Sequence, residues 1–166
     1  MANEVNKDFN AMMNNSKNMP KIVEIKDEKG IKKWGGKTMV VAPALEYDAV
    51  MKLIPEGKVV TTKEIREYIA KKHKVEITCP LTAGIFINIC AWASYQRDSD
   101  KTPFWRVLKA GGELNGKYPS AISLQKELLE KEGHKIITKG TKNIRYFVKD
   151  YENKLFSLKG DISNNE

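Results

Sequence analysis

Cysteine and histidine are scarce in this chain, at two of each in 166 residues. Cys79 and Cys90 cannot frame a disulfide-stapled fold. With His73 and His134 they are too few and too scattered for a zinc site, so neither metal nor cofactor is expected. Long apolar runs are missing as well. Nothing approaches the roughly 18 residues of a membrane span, and Met1 to Asn18 is polar and asparagine-rich with no apolar signal core. A reducing, cytoplasmic setting is the expectation. Acidic residues are in the minority, 21 against 29 lysines and arginines, for a net charge of +8. That balance favours an anionic partner, nucleic acid first.

What is present supports a real core: 41% of the residues are hydrophobic, while a mean hydropathy of −0.50 marks a water-exposed exterior. Residues 1–20 offer little to bury and read as a disordered or loosely attached arm. Residues 21–44 read as an extension with strand candidates at Lys21–Ile25 and Met39–Val41, a charged turn at Asp27–Gly30, and no assignable chemistry. From Leu45 the pattern is helical: Tyr47, Val50, Met51 and Ile54 recur at three- and four-residue steps until Pro55-Glu56-Gly57 stops them. Thr61-Thr62-Lys63-Glu64 spells a capping box, and the helix it opens has Ile65, Tyr68 and Ile69 on one face. Residues 58–74 hold six basic side chains against two acidic ones, half the surplus of the whole chain.

A third helix follows Thr78-Cys79-Pro80, with the threonine as cap and the proline in the first turn. It is apolar nearly all round, through Ile85, Phe86, Ile89, Cys90 and Trp92. After a polar loop at Gln96–Lys101 comes the short apolar run Pro103-Phe104-Trp105-Arg106-Val107-Leu108, then Gly111-Gly112 and a turn to Tyr118. Ile122, Leu124, Leu128 and Leu129 mark a fourth helix, capped by Ser120 or Ser123 and ended by Gly133. Lys135–Asp150 reads as a hairpin turning at Gly140–Asn143. Three helices followed by a strand and a glycine-rich loop describe a winged helix-turn-helix, whose second helix of the pair enters a DNA groove. The fold class expected is α+β, mainly α, with short strands in the N- and C-terminal extensions.

The span from about Leu45 to His134 resembles the O6-alkylguanine-DNA alkyltransferases. Ile54-Pro55-Glu56-Gly57-Lys58-Val59 followed by Thr61 is similar to that family's approach to its helix-turn-helix, and Tyr118 falls at its base-pocket tyrosine. Leu128-Leu129-x-x-Glu132-Gly133-His134 is similar to its closing helix, and Pro103-Phe104-Trp105-Arg106-Val107 stands where the family has Pro-Cys-His-Arg-Val. The resemblance implies a DNA-binding domain over 45–134, followed by a hairpin and tail over 135–166. The family's reaction needs a thiolate, activated through histidine, water and glutamate. Here Glu132 keeps the glutamate position, but Phe104 cannot be alkylated and Trp105 cannot accept a proton. The resemblance is therefore to cysteine-less alkyltransferase-like members, which have tryptophan in place of the cysteine, bind alkylated DNA without repairing it and flag it for nucleotide excision repair. It implies a non-enzymatic protein, with DNA and a repair protein as partners.

Other family positions have changed too. Its Thr-Tyr pair is Thr61-Thr62, its arginine finger falls on Gly84, and its pocket Tyr-Ser-Gly-Gly is Tyr118-Pro119-Ser120-Ala121. A glycine offers no wedge to offset the few kcal/mol that base extrusion costs. The expected nucleic-acid contacts are Lys58, Thr61, Thr62, Lys63, Gly84, Asn88 and Arg106. The expected pocket residues are Phe104, Trp105, Tyr118, Ser120 and Glu132. Phe104 and Trp105 either stack on a base or close a disused site, and Arg106 either meets DNA or ties down neighbouring carbonyls. Cys79 at a helix start is the one alternative nucleophile. His73 is expected to be solvated, and Cys90 to be core. The rival reading is a protein- or small-molecule-binding module reusing the scaffold, motivated by Gly84, the apolar third helix and the extensions outside the family core; it predicts that the Ile85/Phe86 face is buried or forms a partner interface.

Overall fold

The structure, a computed structural model, describes residues 6–158. It is mixed α+β, with more residues in helices than in strands. Met1–Val5 and Lys159–Glu166, parts of the expected arm and tail, lie outside the described residues.

Within residues 6–20 of the segment read as a disordered or loosely attached arm, the structure has a helix packed on the core. Phe9–Met13 forms a short helix, α1, whose N-cap Asp8 accepts from the Ala11 amide at 3.0 Å. Phe9 and Met13 are buried, and the Phe9 ring stacks on Trp92 with centroids 5.4 Å apart. Asn10 donates to the Ala93 carbonyl at 3.0 Å and accepts from Arg97 at 2.8 Å. Two apolar side chains spaced one turn apart are enough to anchor a polar segment.

The extension is built from β1 (Lys21–Glu24), α2 (Glu28–Trp34) and β2 (Thr38–Val41). The charged turn expected at Asp27–Gly30 is instead the start of α2. Asp27 caps it by accepting from the Gly30 amide at 2.9 Å, Glu28 sits in its first turn, and Lys32 and Lys33 in its last, the placement that the helix dipole favours. Gly35, at φ +84°, ends it in a left-handed conformation natural to glycine. β1 and β2 are antiparallel, with Ile22 opposite Val40.

Three helices surround the main core. α3 (Ala44–Met51) buries Tyr47, Val50 and Met51. β3 (Val60–Thr61) leads into α4 (Thr62–Lys72), which a capping box opens; the Thr61 amide donates to Glu64 at 2.8 Å. β4 (Ile77–Thr78) then pairs in parallel with β2. The cap of α5 (Pro80–Gln96) is Cys79, one residue later than expected, because the Thr78 hydroxyl donates to the Arg66 carbonyl at 2.6 Å. The polar loop after α5 is pinned at Thr102, which receives from Arg97 at 3.0 Å and donates to the buried Asp48 at 2.5 Å.

Phe104–Arg106 makes a single 3-10 turn into β5 (Val107–Leu108), which runs parallel to β3 with Val60 opposite Val107. α6 (Ala121–Lys131) starts at Ser120 and is followed by Gly133 at φ +92°. β6 (Ile136–Lys139) and β7 (Arg145–Val148) form an antiparallel hairpin. Val59, Leu108, Leu114, Leu129 and Val148 close a second, smaller core between α6 and that hairpin.

Candidate functional site

The site is assembled where β5, the loop before β3, and the end of α6 meet. Gly57, the glycine of the Ile54–Val59 run, adopts φ +84°, a conformation that costs a glycine little. That turn aims its amide at Glu132, which accepts it at 2.9 Å. The same carboxylate accepts from the Trp105 indole nitrogen and from Arg106 Nε at 2.8 Å. Arg106 also donates to the Ile54 carbonyl at 2.7 Å. Three separated motifs thus converge on one carboxylate. Burial raises its pKa, but the Gly57 amide, the Trp105 indole and Arg106 outweigh burial and hold Glu132 below the usual carboxylate value. Glu132 is therefore an anion at neutral pH, committed to three donors. Arg106 is turned inward, so of its two expected roles the structural one is seen, and its guanidinium does not face a partner.

Beside this cluster the expected pocket is closed. Phe104 is 3% exposed and Tyr118 1%, and their rings meet edge to face at 5.4 Å, with Trp105 edge-on to Phe104 at the same distance. Burial pushes the Tyr118 hydroxyl's pKa up, and the hydroxyl donates to the Val107 carbonyl at 3.1 Å. Phe104 and Tyr118 fill the space that they were expected to line, a packing arrangement that aromatic quadrupoles favour. Ser120, also expected in the pocket, is exposed at the start of α6. Gln125, absent from the residues expected at the site, is fully buried here. It donates to the Trp105 and Val107 carbonyls at 3.1 and 3.2 Å and accepts from the Asn115 amide at 2.8 Å, fixing the backbone on both sides of the motif. Its signal in the sequence is a polar residue between Ile122 and Leu129 on the apolar face of α6.

The helix pair presents a different surface. Lys58 and Lys63 are exposed, and Thr62 and Asn88 are half-buried. Asn88 accepts from Asn115 at 3.2 Å. Thr61 is buried within the capping box, which removes it from the candidate contacts. Gly84 faces open space, with nothing within 4 Å of where a Cβ would stand. Leu81 and Ile85, on the same side of α5, are 65% and 56% exposed. Of the rival's two outcomes for this face, burial holds for Phe86, which turns inward to pack 6.1 Å from Tyr47, while Ile85 stands exposed where a partner interface would lie. Lys63 pairs with Glu67 at 3.9 Å, both of them exposed, a contact worth little in water.

The remaining candidates are structural. Cys79 is buried, and Cys90 is fully buried, donating its thiol to the Ala44 carbonyl at 3.2 Å while burial raises its pKa. His73 is not free in solvent but pairs with Glu46 at 2.6 Å. His134 is buried in the second core, and burial lowers its pKa. Among the described residues no cluster of ligand-type side chains could hold a metal ion.

No protein-family model matches the chain, and no curated protein matches it. Among solved structures it is similar to S. pombe Atl1, an alkyltransferase-like protein, in a crystal structure of Atl1 in complex with damaged DNA containing O6-carboxymethylguanine. The identity is 26%, the match covers 68% of this chain and 91% of that one, and the TM-score is 0.46.

Proposed function

We propose that this protein binds duplex DNA as a non-catalytic, damage-binding relative of the alkyltransferases, acting in DNA repair through a repair-protein partner. The carrying observation is the convergence on Glu132. The run at Pro103–Val107, the glycine turn before β3 and the glutamate closing α6 meet as one cluster, while aromatic rings occupy the positions of nucleophile and base. Phe104 has no lone pair to attack an alkyl carbon, so this cluster holds its elements together without transferring a group.

Docking on this reading uses α4 and α5 as a helix-turn-helix, with the glycine-rich Gly111–Gly112 turn beside them as the wing. Lys58 and Lys63 meet phosphates, which fixes orientation without reading sequence. The open side of α5 faces a groove, and Leu81 and Ile85 offer apolar wedges of the kind that enter a minor groove between base steps. An alkylated base gains little from the closed Phe104–Tyr118 contact. Extrusion costs a few kcal/mol, and the two rings must part as well. Preference for a lesion is therefore modest beside duplex binding itself.

Titration of fluorescent duplexes over a salt series tests this reading, with and without O6-methylguanine. Binding that weakens steeply with salt is expected, with a preference for the modified duplex of less than about tenfold, an increment of about 1.4 kcal/mol. Absence of binding at low salt refutes the DNA reading, and equal binding to both duplexes removes lesion sensing. A second reading, a protein-binding module, draws on the exposed Leu81 and Ile85. It predicts that Ile85→Ser abolishes capture of a protein partner and leaves duplex affinity unchanged, whereas on the DNA reading the same change removes a wedge and weakens duplex binding.

A further inference from the structure

The N-terminal extension lies outside every motif discussed above, yet it is bonded to the start of the helix proposed to enter the groove. β2 runs parallel to β4 with Met39 opposite Ile77 and Val40 opposite Thr78. The Cys79 amide, at the cap of α5, donates to the Val40 carbonyl at 2.9 Å. The Ile25 amide closes the loop around α2 by donating to the Lys37 carbonyl at 2.7 Å. The extension therefore shares a small sheet with the residues that launch α5.

At this junction is a groove of about 270 Å³, walled by Trp34, Lys63, Arg66, Thr78 and Pro80. Trp34 is the last residue of α2, Lys63 and Arg66 lie one turn apart on α4, and Pro80 is the first residue of α5. We infer that this groove, with the exposed Lys33 over its Trp34 wall, is a second binding site for the sugar–phosphate backbone of the duplex. It lengthens the footprint beyond the stretch that α4 and α5 cover, and it rests on the duplex reading above.

Charge and shape both point to a backbone rather than a base. Among the described residues, Lys32, Lys33 and the Arg66 side chain make no ion pair. Lys33 lies 4.8 Å over the Trp34 ring, so cation and aromatic face form a single surface. The wall also holds two carboxylates: Glu67 lies 3.9 Å from Lys63, and Glu76 accepts from the Lys37 amide, so the surplus of positive charge at the groove comes from Lys33. Two cations free of ion pairs at one indole, Lys33 over its face and Arg66 in the same groove, suit phosphates flanking a deoxyribose, with the sugar against the ring. Continuity favours DNA over an acidic peptide, because Lys63 belongs both to this groove and to the helix pair.

The test compares wild type with Lys33→Gln/Arg66→Gln, which removes both cations without placing an anion at the end of α2, with circular dichroism as the check on the fold. Anisotropy titrations with one duplex over a salt series give both affinity and slope. Loss of two phosphate contacts makes the log–log slope shallower by about 1.8, at roughly 0.9 per contact. A parallel titration follows indole fluorescence, and Trp34→Phe removes the part of the quenching that duplex binding causes. Wild-type binding with unchanged affinity and slope in the double variant overturns this inference and leaves the duplex reading standing. Failure of the wild type to bind any duplex overturns both. Displacement of the duplex by polyglutamate, lost in the double variant, reassigns the groove to an acidic protein segment.

Discussion

The Glu132 cluster and the outer side of α5 come from neighbouring stretches of one chain and have been filled in opposite ways. Around Glu132 both carboxylate oxygens accept hydrogen bonds, and the Phe104 and Tyr118 rings are sealed from water. On α5, Gly84 leaves a gap and two aliphatic side chains stand in solvent. One region is committed to structure, and the other stands free to touch something. Changes in the first should be felt as stability, and changes in the second as binding.

Glu132→Ala is the most severe break. It strands the Arg106 guanidinium and two further donors in a poorly hydrated place. Losing one partner of a buried pair costs about 3–5 kcal/mol, so a loss of about 3 is expected in urea unfolding. Duplex affinity per folded molecule should hold to within about twofold; a selective loss of binding with normal stability would make the cluster part of the binding surface.

Phe104→Cys comes next. It introduces the cysteine that the alkyltransferases carry in the similar motif but removes a ring that touches Trp105 and Tyr118. Large-to-small changes of this kind cost about 3 kcal/mol. The new thiol stands beside an indole that cannot take its proton, so mass spectrometry after incubation with O6-methylguanine duplex should show no added methyl group. A methyl group on the introduced thiol would mean that the pocket opens and that the separation between the two regions is wrong.

Much of this contrast was legible in the sequence. The missing nucleophile, the Glu132 position and the capping box at Thr61 follow from motif and residue chemistry alone. The closure of the pocket does not, because Phe104 and Tyr118 are 14 positions apart and only packing decides whether two aromatics line a space or fill it. The helix over Glu28–Trp34 was hidden by its charge, which resembles a turn until Asp27 is seen as a cap. α1 was hidden because its only apolar anchors, Phe9 and Met13, find their partners more than 80 residues away. The docking of the extension on β4 was equally invisible, since a two-residue strand has no periodicity to read.

Gly84→Arg sharpens the other side of the contrast with a smaller effect. The position is open, so a side chain meets no clash, and replacing glycine inside a helix gains up to about 0.8 kcal/mol of stability. On the duplex reading the added cation tightens binding about tenfold at low salt and steepens the salt slope by about 0.9. A more stable variant with unchanged affinity and slope would show that this side of α5 does not face DNA.

The smallest effect concerns His134, at the margin between the Glu132 cluster and the second core. Burial lowers its pKa; Glu132 opposes that shift, while Lys154 and Arg106 add to it. The folded state thus binds its proton less readily than the unfolded chain, whose histidine titrates near 6.5. When the unfolded state holds more protons, stability rises with pH. The contribution is whole above about 6.5 and is lost as pH falls through the depressed folded value. Glu113, held low by its hydrogen bond to Arg145, and Glu132 act in the same direction, but only below the ordinary carboxylate range. The difference between wild type and His134→Leu in urea midpoints measured between about pH 7.5 and 5 therefore isolates His134 from the carboxylates and from His73, which both proteins share. Wild type should weaken across that window by more than His134→Leu does, while the duplex affinity of both stays equal at the upper end. Equal acid sensitivity in the two proteins would mean that the His134 ring already exchanges with water, and that the cluster is less sealed on this side than at Phe104.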